Sequence, residues 1–401
     1  MYIYILSLQL NFADSADQLT FTQSGIKKYV KGVILNGILD IQSISIPNLQ
    51  ATLDLGLTQI NLLMSDIKIA DVQLEDVDIV LQNSQLMYID IKNLDLQVSM
   101  GWRFQQTTYP YIQDAGQGKI SLLGVSLTAL ASSSCNSTGN IFVQLQNAQL
   151  RISDFNIALS GGNSWIYQSM LSLISDQVIN AFESVFQQII LDQISVLMQN
   201  VFEKFRLYTL YADHPLVKDE RFTGSWVIRD QTLSLQVTGY VFHSTNLQDQ
   251  FIQPQMLRRA VQNKFNSDIT LVIHEAAFNN VFYIYYKYLN LFISEHFEIT
   301  SAPKLEINNV AALLSVYLGT ELVYLIARPQ MFTNSTELSG YVYFEFEPMI
   351  QDLKSNQIAE LFNSVFVAYK INFALFVKLE KFAPVFDSNE KVLRLVGEGT
   401  F

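Results

Sequence analysis

SDIKIADVQLEDVDIVLQNSQLMYIDIKNLDLQVSMGWRF, residues 65–104, decides the fold. Apolar side chains alternate with polar ones through Ile67 and Ile69, then Val77, Ile79 and Leu81, then Ile89 and Ile91, then Leu94, Leu96, Val98, Met100 and Trp102. The opposite positions hold Asp66, Lys68, Asp76, Asp78, Asp90, Lys92, Asp95 and Gln97. A period of two is the signature of a strand with one face in a core and the other in water. The alternation starts upstream at Leu53, Leu55 and Leu57, and strands are expected again over 118–131 and 140–159. The first half therefore reads as a series of antiparallel strands.

On either side the period changes. Over 20–45, Ile26, Val30, Val33, Ile34, Ile38 and Ile41 recur at steps of three and four, which predicts a helix ended by Pro47. From 164 to 205 the stripe Ile166, Met170, Ile174, Val178, Phe182, Phe186, Ile190, Ile194, Met198 and Val201 runs without Pro or Gly. A helix of ~40 residues is ~60 Å long, which implies an elongated body. A coiled coil fits less well, because charges are sparse and the period drifts from strict heptads. Past a linker near His214-Pro215, strands are expected over 224–243, 305–327 and 338–347, with helices over 254–265, 275–293 and 349–368 and strands to the end. The order helix, strands, helix thus occurs twice.

The composition sets limits on function. Of 401 residues, 49% are hydrophobic and only 15% charged, against ~25% charged in ordinary soluble domains. Net charge is −12. Residues 1–205 hold 9 Lys and Arg against 17 Asp and Glu, a net of −8, and the remainder is −4. Neither half is basic, which argues against nucleic acid and anionic membranes as electrostatic partners. No stretch reaches the ~18 uninterrupted apolar residues of a membrane span. The start, MYIYILSLQLNFADSAD, resembles a leader peptide over 1–16, though it lacks Lys and Arg. Asn136-Ser137-Thr138 and Asn334-Ser335-Thr336 are glycosylation sequons, so a secreted, extracellular protein is expected.

Enzyme chemistry finds little support. His274-Glu275-Ala276-Ala277 opens like a zinc-protease motif, but the second His is missing, since residue 278 is Phe. No G-x-S-x-G elbow and no phosphate-binding glycine loop occurs. Asp71, Glu75, Asp76 and Asp78 cluster without a calcium-loop pattern and read as a solvated strand edge. Lys27, Lys28 and Lys31 read as a solvated helix face. Neither a metal nor a cofactor is expected.

Several stretches, in order, resemble the bactericidal/permeability-increasing and lipopolysaccharide-binding protein family. TQSGIKKYVKGVILNGIL (22–39) is similar to the family's opening helix, and IPNL (46–49) follows it. SDIKI (65–69), the strand ending at Gly101-Trp102, GKISLLGVSLTAL (118–130) before Cys135, and Trp165 continue the match. ITLVIHEAAFNNVFYIYYKYLNLFI (269–293) is similar to the helix of the second barrel. The resemblance implies an α+β, elongated boomerang of two tubular barrels, each a highly curved antiparallel sheet wrapped around a long helix, joined by a central sheet. It also implies a disulfide partner for Cys135 on the long helix, and no second cysteine exists. Antibacterial members group cations at the tip of the first barrel, whereas this half is acidic.

On this basis 17–210 is expected to form the first barrel, 211–245 linker and central-sheet strands, and 246–401 the second barrel. The expected function is non-catalytic binding or transfer of a phospholipid or other amphipathic lipid by a monomer, with at most transient contact with a membrane surface. The alternatives are an antibacterial binder of lipopolysaccharide and a structural or adhesion protein whose barrels are filled by their own side chains. The expected lipid-contacting residues are Val30, Val33, Ile34, Ile38, Ile174, Val178, Phe182, Phe186 and Ile189 in the first barrel, and Phe278, Phe282, Tyr285 and Leu289 in the second.

Overall fold

The computed structural model of the 401-residue chain describes residues 15–400 except 43–44, 55–58, 83–84, 110, 212–214, 246–266, 290–296, 334–338, 366 and 373–377. Between 165 and 207 it describes 183, 187–189, 191–192, 194–196, 198–200 and 202–203, all of them helical.

The alternating stretch forms two very long strands, Gln59–Gln82 and Leu86–Gln106, followed antiparallel by Gln113–Cys135. At ~3.3 Å per residue, the 24 residues of the first follow a path of about 80 Å. Ile141–Arg151 and Asp154–Ser160 pair with the third strand, while Ser45–Ile46 and Leu49–Asp54 pair with the first. The sequence suggested several short strands because the apolar phase changes: Met64 is buried, then Ile67; Ile91, then Leu94. The structure keeps the strands continuous and absorbs each phase change as a bulge, between Ser65 and Lys68 and between Ile91 and Leu94. Asp66 (φ 53°) and Asn93 (φ 51°) take left-handed backbone there. Bulges sharpen twist and bend, which curls the sheet.

Helix α1 (Gln23–Gln42) lies on this sheet. Its start is set by Thr22, whose hydroxyl accepts the Gly25 N–H at 3.2 Å as an N-cap does. The expected helix began at 20, but Asp17–Thr22 is a strand. Gly25 is fixed by packing, since a Cβ there would lie 2.0 Å from the Asp268 carbonyl oxygen. The three lysines stay partly exposed, but each is paired with a carboxylate. Lys27 lies 3.2 Å from Asp78 and 3.6 Å from Asp76, Lys31 3.4 Å from Asp76, and Lys28 2.5 Å from Asp268. The lysine group and part of the acidic cluster are thus two sides of one ion-pair seam between helix and sheet.

A six-stranded antiparallel sheet joins the ends of the chain. Its order is Val227–Arg229, Thr232–Val237, Asp17–Thr22, Ile269–His274, Val392–Thr400, Lys378–Asp387. A second curled sheet follows the order Lys304–Ile307, Ala312–Leu318, Glu321–Thr333, Ser339–Pro348, Ala368–Asn372. Against it pack α2 (Glu275–Ile284), which runs into one π-helical turn at Tyr285–Leu289, and α3 (Leu353–Val365). The helix expected at 254–265 lies outside the described residues. The expected α+β architecture of two curled antiparallel sheets joined by a central one is present.

Candidate functional site: an apolar pocket beside the central sheet

Where the first sheet meets the central one, a small apolar pocket opens on one side to solvent. Helix α1 contributes Ile26, Tyr29, Val30, Val33 and Ile34. The central strands contribute Phe21, Leu233 and Leu235, with Trp226 just before them and Met87 at the start of a long strand. Ile194, Met198 and Phe202, each helical, close it from the other side. Every lining side chain is apolar or aromatic. The Trp226 indole N–H donates to the Gln85 carbonyl at 3.0 Å, so its ring faces the pocket without an unmet donor. Phe21 and Tyr29 rings pack 5.8 Å apart, and burial pushes the Tyr29 phenol pKa up. Such a wall offers a ligand desolvation and shape, with no charge to hold a headgroup.

Three expected lipid contacts, Val30, Val33 and Ile34, come together in this wall. Ile189 is half-buried and packs on the same core. Ile38 lies on α1; its side chain, and Ile174, Val178, Phe182 and Phe186 entirely, lie outside the described residues. The expected lipid contacts left out the other lining residues: Ile26 and Tyr29 of α1, Ile194, Met198 and Phe202, and Phe21, Met87, Trp226, Leu233 and Leu235 from the sheets. Alternation marks Phe21, Leu233 and Leu235 as inward-facing, but their meeting depends on pairing Phe21 with Leu233, 212 positions apart.

The second set behaves differently. Phe278, Phe282 and Tyr285 are buried, and Leu289 packs at their margin. Phe278 meets Phe344 edge-on at 4.9 Å and Tyr369 at 5.5 Å. Phe282 meets Phe346 at 6.3 Å and Phe362 at 6.5 Å, and those two rings meet at 5.6 Å. Side chains of the second sheet and α3 occupy the space that this helix face fronts.

HEAAFNN, which opens α2, serves as a set of staples. The His274 Nδ1 accepts the Ala276 N–H at 3.1 Å and caps the helix. Burial and the nearby Lys391 push its pKa down to about 4. Glu275 accepts the Ile307 N–H at 3.0 Å and lies 3.3 Å from Lys391. Asn279 bonds both the N–H and the carbonyl of Leu305, at 2.6 and 2.9 Å. Among the described residues no group of three His, Cys, Asp or Glu is placed to hold a metal. Cys135 is half-buried, its thiol pKa raised by burial, with Sγ 3.6 Å from the Phe222 carbonyl.

Two curled antiparallel sheets, joined by one shared sheet and padded by helices over an apolar pocket, define the class of two-barrel α+β tubular proteins. Its fold matches the crystal structure of lipopolysaccharide binding protein with a TM-score of 0.63 at 13% identity, covering 97% of this chain and 99% of that one. Residues 30–201 match the N-terminal domain of the LBP / BPI / CETP family. A BPI/LBP family protein of Arabidopsis thaliana is 21% identical over 301 residues, 71% of this chain and 58% of that protein. The BPI fold-containing family C protein of Homo sapiens is 24% identical over 244 residues, 58% of this chain and 44% of its own length. The matched region thus spans about half the length of these relatives.

Proposed function

We propose that this chain is a non-catalytic lipid-binding protein that takes acyl chains of a phospholipid-like amphipath into the pocket of the first half. The headgroup stays at the mouth. The observation that carries this reading is the wall itself, apolar throughout, lined from α1, the central sheet and residues 194–202. Burying a methylene is worth ~0.8 kcal/mol, so ten contribute ~8 kcal/mol before ordering costs. No polar anchor is needed for retention. The match of residues 30–201 to the N-terminal domain of the LBP / BPI / CETP family supports the same reading.

The lysines of α1 favour a neutral or zwitterionic lipid over a bacterial glycolipid. Lys27, Lys28 and Lys31 face Asp76, Asp78 and Asp268. The packed rings around Phe282 favour a second half filled by its own side chains at that level. We further propose secretion, with any leader removed before Ser15. Ser15 and Ala16 are buried, and Ala16 bonds Thr238 and His274 across the central sheet. Asn136 is the preferred glycan acceptor: it is exposed on the turn after Cys135, and its side-chain Oδ1 accepts both the N–H and the hydroxyl of Thr138. Asn334 lies outside the described residues.

Organic extraction of purified protein followed by mass spectrometry tests the lipid reading. Co-purified lipid, and uptake of a fluorescent phosphatidylcholine that is unchanged by salt, are expected. Lipid-free protein that takes up no probe would reject the reading. An affinity for lipopolysaccharide that falls steeply with salt would favour the glycolipid alternative.

A further inference from the structure

Beside the central sheet three segments bury a small group of charges. Asp17, in the strand Asp17–Thr22, Lys218, in the strand Leu216–Asp219, and the adjacent Glu220 are 1%, 1% and 5% exposed. Tyr369 reaches them from Ala368–Asn372, the edge strand of the second curled sheet. Lys218 Nζ lies 2.8 Å from Asp17 Oδ2 and 3.5 Å from Glu220 Oε1. The Tyr369 hydroxyl lies 2.7 Å from the same Asp17 oxygen and 2.6 Å from the Gly239 carbonyl oxygen, while its ring faces Lys218 Nζ at 4.3 Å. Gly239 permits this approach, since a Cβ there would lie 2.9 Å from both the Asp17 carboxyl and the Tyr369 hydroxyl. The Thr209 hydroxyl bonds Glu220 Oε2.

The group holds one ammonium and two carboxyls. Asp219 and Arg221 form a separate pair at 2.6 Å and do not change that count. A buried net charge is costly, so the neutral form of the group carries a proton on one carboxyl. The geometry selects which one. Asp17 takes the short contacts from Lys218 and Tyr369, whereas Glu220 has the longer contact to Lys218 and a hydroxyl neighbour. We propose that Glu220 is a carboxylic acid in the closed joint, and that loss of its proton loosens the contact between Asp17 and the Tyr369 strand, making this joint a pH-sensitive link between the central sheet and the second curled sheet.

Burial pushes Glu220 up to about 7, offset in part by Lys218 and Thr209 and reinforced by Asp17. Burial also raises Asp17, against Lys218 and Tyr369. The buried phenols Tyr211 and Tyr369 are the other titratable groups that face Glu220. A carboxyl raised in the folded state binds its proton there more tightly than in the unfolded chain. Its contribution is therefore greatest below pH 4.5 and is lost as pH rises towards and through 7.

The test compares wild type with Glu220→Gln in denaturant titrations from about pH 5 to 8. The wild-type midpoint, taken relative to the variant's, is expected to fall between about pH 5 and 7.5. His274 titrates oppositely, but below pH 6.5 and in both proteins. Amide exchange along Ala368–Asn372, corrected for intrinsic rate, should rise over the same range in wild type only. Equal pH dependence in the two proteins overturns the proposal. Should Glu220→Gln not fold, infrared spectra of wild type decide: a carboxylic-acid band at pH 6 must vanish by pH 8, and must shift when the glutamate side-chain carboxyls are labelled with carbon-13. Absence of the band in wild type, or a band that the glutamate label does not shift, also overturns the proposal.

Discussion

Single atoms set the terms at Gly25 and His274. A methyl group at Gly25 would meet the Asp268 carbonyl at 2.0 Å, with backbone on both sides of the clash. Gly25→Ala is therefore expected to cost about 2–3 kcal/mol in thermal denaturation. Gly224→Ala, with nothing within 4 Å of the added carbon, should be close to neutral. Equal effects would show that the helix start has room to shift. His274 is neutral in the fold because burial and Lys391 hold its pKa at about 4. The unfolded imidazole titrates at ~6.5, so the unfolded chain takes up the proton first on acidification. Stability is full above pH 6.5 and falls as pH drops towards 4, by on the order of 2–3 kcal/mol. His274→Asn keeps a capping acceptor and should flatten that slope in urea titrations. An unchanged slope would assign the acid sensitivity elsewhere.

Helices and strands show how differently the two halves use similar patterns. Phe278, Phe282, Tyr285 and Leu289 repeat at helical spacing as Val30, Val33, Ile34 and Ile38 do, and both sets read equally as lipid walls. Only side chains from distant strands separate them. Phe344, Phe346 and Phe362 fill the space in front of Phe282, whereas the side chains around Val33 line a small open pocket. Phe282→Ala should then behave as a core truncation, costing about 3–5 kcal/mol while leaving bound lipid per folded molecule unchanged. Loss of lipid with little loss of stability would make it a tube wall after all. Asn279→Leu removes both bonds to Leu305 and leaves a buried N–H and carbonyl unmet, an expected loss of about 2–4 kcal/mol by urea titration. The strand pattern was legible in sequence because alternation is local. The continuity of the strands was not, because a left-handed Asp66 or Asn93 at a bulge shifts the apolar phase much as a turn does.

At the scale of the molecule, the α+β class, the two curled sheets and the family were readable from the order of motifs along the chain. A central sheet was expected from the family resemblance, but which strands pair in it was not readable, because the neighbours are remote: Asp17 pairs with Val237 on one side and Ile273 on the other. The pocket inherits that difficulty, since Phe21, Leu233 and Leu235 reach it only through this pairing. Charge was misread for the same reason, as Lys27 and Asp78 are 51 positions apart and meet only in the fold. The central claim is that this pocket holds the acyl part of a lipid, and filling it tests the claim most directly. Native mass spectrometry and lipid extraction of wild type and Val33→Trp, both checked for folding by thermal denaturation, should show about one lipid per wild-type molecule and at least tenfold less in the variant. Equal lipid in the two folded proteins, or none in either, would contradict the account.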